Sequence, residues 1–143
     1  MDIQPFSRKV FYYKTDRMGI VHHSNYIRWM EETRIYWLEQ AGMPFDVIES
    51  KGVMMPVLST SFEYKLPFTF NDRFFITCEI PEFHGSRFSV NYVVKGEDGL
   101  IHGTGTSSHC FTDKSMRPIR VKKSHPEIYD AFVAISNSSS EVK

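Results

Sequence analysis

Cysteine is scarce in this chain: Cys78 and Cys110 are the only two in 143 residues, far apart and without a Cys-x-x-Cys spacing. That excludes a disulfide framework and predicts two reduced, packed thiols. Net charge is also missing, with 17 Lys and Arg against 17 Asp and Glu, so no overall field draws the chain to nucleic acid or to an anionic membrane. Any anion site must be local. No apolar run approaches the roughly eighteen residues of a membrane span, and the opening Met1-Asp2-Ile3-Gln4-Pro5 lacks a basic and then apolar leader. The expectation is a cytoplasmic protein with neither nucleic acid nor membrane as partner. Gly-x-Ser-x-Gly is absent, which removes the nucleophile elbow of a serine hydrolase. His-Glu-x-x-His is absent too, and the adjacent His22 and His23 point about 100° apart at a helix start, so no metal site is expected.

What is present suits one folded domain. The hydrophobic fraction is 41% and the aromatic fraction 15%, enough apolar area to offset ordering entropy. Residues 6–14 are aromatic and β-branched and predict a first strand, which a Thr-Asp-x-x-Gly loop ends. Ser24 is suited to an N-cap, and Tyr26, Trp29, Met30, Thr33, Trp37, Leu38 and Ala41 recur at helical spacing up to Gly42. This predicts an amphipathic helix of about 18 residues. After a short helical connection near 45–50, four strand-like runs follow at 54–64, 69–80, 86–95 and 100–112, with turns at 65–67, 84–85 and 96–99. A short last helix begins near Ser124 and Pro126, and 136–143 is a polar, frayed tail after a single domain at 1–135. The order predicts an α+β fold, a five-stranded antiparallel sheet curled around one long helix that buries the Trp29, Met30 and Trp37 stripe.

Chemistry-bearing residues concentrate in the loop from the first strand into that helix, residues 12–26. The loop pairs a carboxylate, Asp16, with a helix start, whose unpaired N–H groups and partial positive charge suit a thioester oxygen becoming an oxyanion. On local chemistry alone a second meaning stays open, because Asp-x-x-Gly is a common turn and an Asp before a helix often only caps it. Gly103 and Gly105, inside a strand-like run, mark a close approach of the helix or an acyl chain to the sheet.

Tyr12-x-x-x-Asp16-x-x-Gly19-Ile20-Val21-x-His23-x-Asn25-Tyr26, followed by Arg28-Trp29 and Glu31-x-x-Arg34, resembles the signature of the 4-hydroxybenzoyl-CoA thioesterase-like family, which includes the Tol-Pal-associated acyl-CoA thioesterases. More loosely, Phe111-Thr112-Asp113-x-x-x-Arg117-Pro118-Ile119-Arg120 is similar to that family's last-strand ending. The resemblance implies a hot-dog fold and an acyl-CoA thioesterase, with CoA as part of the substrate and no separate cofactor. It implies that Asp16 is the catalytic carboxylate, as nucleophile or general base. It further implies that the His23 backbone N–H polarises the carbonyl, that Tyr12 orients the site, and that Gly19, Val21, Ser24 and Asn25 line the substrate loop. Arg17-Met18 departs from the small residues usual in that family.

If CoA is the carrier, Arg87, Arg117 and Arg120 are candidates for its phosphates. A thiolate leaves readily, since its conjugate thiol has a pKa of about 8.5, so one carboxylate and one oxyanion site suffice. Three other readings compete with an acyl-CoA thioesterase: an acyl-acyl carrier protein thioesterase, a hydratase on the same fold, and a non-catalytic acyl-CoA-binding module. Asp-x-Asn-Pro-x-His, the hydratase pattern, is missing. Exposed sheet edges predict a homodimer or a homotetramer.

Overall fold

The computed structural model describes residues 3–81 and 83–142, with backbone alone for 138–142. Strands β1 (Phe6–Lys9), β2 (Val57–Tyr64), β3 (Arg73–Glu79), β4 (Arg87–Gly96) and β5 (Ile101–Cys110) form one sheet in the order β1-β3-β4-β5-β2. Every pairing is antiparallel. Helix α1 (Ser24–Gln40) lies on it, followed by α2 (Phe45–Ser50), while α3 (Val121–Ser124) and α4 (Pro126–Val142) close the chain.

Burial alternates along β3 and β4, because successive side chains point to opposite faces. Phe74, Ile76 and Cys78 on β3, with Val90, Tyr92 and Val94 on β4, face the helix side and are buried. Helix α1 answers with Tyr26, Trp29, Met30, Thr33, Trp37 and Leu38, all buried, and Trp29 stacks on Phe74 at 4.1 Å between ring centroids. The helix touches β1, β2 and β3. Since β1 and β2 are the two edges of the sheet, some 19 Å apart if it were flat, contact with both means that the sheet bends toward the helix.

Glycine in β5 permits this closeness. A Cβ at Gly105 would stand 2.8 Å from Met30 Sδ on α1, and one at Gly103 would stand 2.5 Å from the Phe62 ring. Phe62 pairs with Gly105 across the strands, so its ring occupies the space that a side chain on β5 would need.

The structure departs from expectation at three places. β1 stops at Lys9, and Tyr12–Lys14 form a 3₁₀ turn instead of continuing the strand; Val10 N–H has turned to bond Asp72 O at 2.8 Å. Ser24 is the first residue of α1 and His23 holds the cap position. Two helices, not one, reach 17 residues. The second is α4: instead of a short helix followed by a frayed tail from residue 136, a single helix runs to Val142, with Ile135 buried and Ser136 Oγ bonded to Ile80 O at 2.9 Å. Lys143 and the side chains of 138–142 lie outside the described residues. Both cysteines are reduced, Cys78 buried and Cys110 partly so. Among the described residues, no helix is long and apolar enough to cross a membrane.

Candidate active site at the mouth of helix α1

The loop between the 3₁₀ turn and α1 is a small hairpin. Thr15 pairs antiparallel with Val21, Asp16 N–H bonds Ile20 O at 2.8 Å, and Gly19 N–H bonds Asp16 O at 2.9 Å. Gly19 takes φ +79°, the left-handed conformation that favours glycine. The Asp16 carboxylate holds the same turn through Oδ1, which accepts the Met18 N–H at 2.8 Å. Among the described residues, Oδ2 accepts no hydrogen bond, so half of the carboxylate is open to a substrate or a water.

Two residues of the signature anchor this hairpin. Val21 is buried, and its N–H bonds Phe68 O at 2.9 Å. Asn25 is buried too, and its amide donates to Lys14 O at 3.0 Å and His22 O at 3.2 Å, which binds the start of the loop to the first turn of α1. Both are candidates for the substrate loop, and in the structure they hold that loop in place.

The first N–H groups of α1 are accounted for one by one. Ser24 N–H goes to His22 Nδ1 at 3.2 Å, Asn25 N–H to His22 O at 3.0 Å and Tyr26 N–H to His23 O at 3.3 Å. The His22 ring therefore caps the helix, with Ser24 Oγ 2.8 Å from the same nitrogen, and Ser24 is spent on this contact. His23 N–H has no acceptor among the described residues, and His23 is exposed. Its ring packs on His22 at 4.2 Å and edge-on to Tyr64 at 6.4 Å, and Tyr64 Oη donates to His23 O at 3.3 Å. The helix mouth thus presents one uncommitted donor beside the positive end of a 17-residue helix dipole.

Aromatic residues border the mouth. Tyr26, buried and against Tyr64, has its phenol pushed up to about 12 by burial first and by Tyr64 second, so it stays neutral. Tyr12 is 75% exposed and meets Phe70 edge-on at 5.6 Å; it stands on the rim. Arg17 and Met18 are exposed at the tip of the hairpin.

The candidate arginines stand elsewhere. Arg87 opens β4 opposite Cys110, Arg120 directly precedes α3, and Arg117 pairs with Asp113 at 3.2 Å. All three are exposed, at the end of the sheet where β5 finishes. The Asp16 hairpin sits where β5 begins, tied through Phe68, which stacks on His102 at 4.0 Å. Seven residues of β5 separate Gly103, opposite Tyr64, from Cys110, about 24 Å of strand. Arg87, Arg117 and Arg120 therefore do not meet Asp16 within one chain. The two cavities described for the chain, one behind the later turns of α1 and one beside β1, are not lined by Asp16 or His23 either.

Sequence reasoning missed a buried polar chain. Arg34 on α1 donates to Tyr92 Oη at 3.0 Å, Tyr92 Oη lies 2.8 Å from Ser107 Oγ, and Ser107 Oγ lies 2.8 Å from His109 Nε2. Burial, and then the Arg34 charge, push His109 down to about 4, against a hydrogen bond with the Met55 backbone that acts the other way. Burial pushes Tyr92 up to about 12. The one available signal was Ser107 and His109 two apart on a strand, and hence on one face.

Known proteins are similar to this chain over most of its length. The profile of the thioesterase-like superfamily matches residues 10–133. The chain is 33% identical over 125 residues to "Putative acyl-CoA thioesterase YneP" of Bacillus subtilis, covering 87% of this chain and 91% of that one. It is 26% identical over 117 residues to the acyl-CoA thioester hydrolase YbgC of Escherichia coli O6:H1, covering 81% and 87%. A crystal structure of a DHNA-CoA thioesterase from Staphylococcus aureus superposes with a TM-score of 0.89 over 100% of this chain and 97% of that one, at 22% identity, and shares the fold.

Proposed function

The chain belongs to the thioesterase-like superfamily, and from that premise we propose that it is a thioester hydrolase, an acyl-CoA thioesterase that yields a free acid and CoA on a hot-dog fold. The observation that carries the reading is the unpaired His23 N–H at the mouth of α1, on the same loop that bears the half-open Asp16 carboxylate. Relatives named as acyl-CoA thioesterases, aligned over most of the chain, support the substrate class.

The thioester oxygen sits at the His23 N–H, where the helix end stabilises the negative charge that develops on it. Asp16 Oδ2 then acts in one of two ways. As a base it takes a proton from water while the hydroxide oxygen bonds the carbonyl carbon; the intermediate collapses, the C–S bond breaks, and CoA thiolate leaves to be protonated. As a nucleophile it bonds the carbonyl carbon itself, expels the thiolate, and leaves a mixed anhydride that water cleaves. Either route ends on the same acid and thiol. No cofactor is needed besides the CoA of the substrate.

A second copy of the chain completes the site in this reading. β2 is a sheet edge whose residues are all exposed except Phe62, and an uncovered eight-residue edge invites strand pairing. Arg87, Arg117 and Arg120 lie about 24 Å of strand away from the Asp16 end of their own chain, and a homodimer or homotetramer paired through β2 would offer a second set of them to CoA.

Release of thiol from aromatic, short-chain and long-chain acyl-CoA substrates, with an enoyl-CoA alongside, tests the proposal. Free CoA from at least one saturated or aromatic substrate is expected. Hydration of the enoyl-CoA without free thiol would reassign the chain to a hydratase, and tight CoA binding without turnover would make it a binding module. The same panel on acyl carrier protein identifies the carrier.

A further inference from the structure

Residues 65–72 carry the chain from the end of β2 to the start of β3 outside any strand. Three hydrogen bonds tie residues 65–67 to β5, and all three end on His102. Its O accepts the N–H of Lys65 at 2.9 Å and of Leu66 at 3.0 Å, and its Nδ1 lies 3.2 Å from Pro67 O. A carbonyl only accepts, so Nδ1 carries the proton and donates it there. Pro67 has no N–H of its own, which leaves that carbonyl as its one backbone handle. Next in the chain is buried Phe68, whose ring lies on the His102 ring with 4.0 Å between centroids and 6° between planes.

Phe68 is where this connection meets the Asp16 hairpin. Its O accepts the Val21 N–H at 2.9 Å, and Val21 pairs with Thr15, the residue directly before Asp16. Contacts therefore run without a gap from His102 through Pro67 and Phe68 to the hairpin. The other edge of the His102 ring is fixed as well, because Nε2 lies 3.0 Å from Asp98 Oδ2 in the turn between β4 and β5. Leu100 N–H holds that carboxylate through Oδ1 at 2.9 Å. Gly96 leaves the room for it: a Cβ there would stand 2.7 Å from His102 Nε2 and 2.8 Å from Asp98 Oδ1. A histidine that only filled the core would need none of these partners, whereas this ring is oriented at both nitrogens and on one face.

We propose that His102 is a positioning residue for thioester hydrolysis: it clamps Pro67 and Phe68 to β5 and so fixes the Asp16 carboxylate relative to the His23 N–H. The inference rests on the thioesterase reading. It does not place His102 against the substrate, since the side chain is buried behind the loop that bears the chemistry. Placement alone carries the effect, because a shift of about 1 Å in a reacting group costs about 10²-fold in rate. The loss therefore falls on kcat and not on KM.

Two substitutions at His102 test this on the full-length protein. His102→Leu removes both ring nitrogens, whereas His102→Asn keeps an amide N–H at the place of Nδ1. Thiol release is followed together with hydrogen exchange at the Val21 N–H. The Met54 N–H, which bonds Thr112 O at 2.9 Å beyond the other end of β5, is the distant reference. His102→Leu is expected to lower kcat about 10–100-fold with KM within about twofold, and to speed exchange at Val21 about tenfold or more without changing Met54. His102→Asn is expected to recover most of both losses. Should His102→Leu not fold, Gly96→Ala, whose Cβ displaces the intact ring, is expected to give the same pattern. Unchanged exchange at Val21, equal acceleration at Val21 and Met54, an unchanged kcat with a loosened Val21, or no recovery in His102→Asn would each overturn the proposal. An unaltered chain that releases no thiol from any substrate would end the hydrolase reading, and the Val21 exchange would still decide whether His102 holds the hairpin.

Discussion

Acidification from pH 7 to pH 5 should weaken the fold through one residue, His109. The residue is 2% exposed, its Nε2 is 2.8 Å from Ser107 Oγ, and its ring stacks on Phe88 at 4.7 Å. Burial and the Arg34 charge hold its folded pKa near 4, against about 6.5 in an unfolded chain. Because the folded value is the lower, the unfolded chain takes up the proton first as pH falls. The stabilisation is therefore complete above about 6.5 and lost progressively down to about 4. Each pH unit in that window is worth about 1.4 kcal/mol, so pH 5 removes about 2 kcal/mol from this group alone. Urea unfolding at pH 7, 6 and 5 measures the loss, and subtracting the same series for His109→Gln cancels every other titrating group. The variant is expected to start less stable at pH 7 and to lose about 2 kcal/mol less on acidification. Parallel curves for the two proteins would refute the argument that His109 is buried in the neutral form.

Further outcomes follow from particular contacts. Gly103→Ala puts a Cβ 2.5 Å from the Phe62 ring and 2.9 Å from Glu63 O, and should cost about 1–3 kcal/mol of stability in a thermal melt. Asn25→Ala removes the bonds from its amide to Lys14 O and His22 O, so thiol release should fall further than the loss of about 1 kcal/mol of stability explains. Leu58→Lys places a charge on the exposed edge strand β2, and light scattering should find a shift from dimer toward monomer; a stable monomer before the substitution would contradict the proposed assembly.

Much of the fold was legible because its cause is periodic. The Trp29, Met30 and Trp37 stripe marked the buried face of α1, and alternation marked β3 and β4. Gly103 and Gly105 were read as a close approach, and the neighbours they admit are Met30 and Phe62. Where tertiary contacts override local pattern, the reading failed. Phe11, Tyr12 and Tyr13 look like strand, yet the Asp72 bond turns the chain out of the sheet before them. Polar residues after Ser136 look like a tail, but Ile135 and the Ser136 bond to Ile80 carry α4 across the sheet. The hairpin of Asp16 was visible as a motif, whereas its anchoring by Asn25 and the capping of α1 by His22 depend on side-chain geometry that no spacing encodes.

The most direct test compares thiol release by the unaltered chain and by Asp16→Asn, at equal concentrations of folded protein, on whichever acyl-CoA the substrate panel identifies. Asn keeps the bond to the Met18 N–H and the shape of the hairpin, but it removes the negative oxygen at Oδ2. The account predicts a loss of about 10²–10⁴-fold in kcat, with CoA affinity and melting temperature nearly unchanged. Turnover within a few-fold of the unaltered chain would contradict it, because the carboxylate at the helix mouth would then have no part in breaking the thioester.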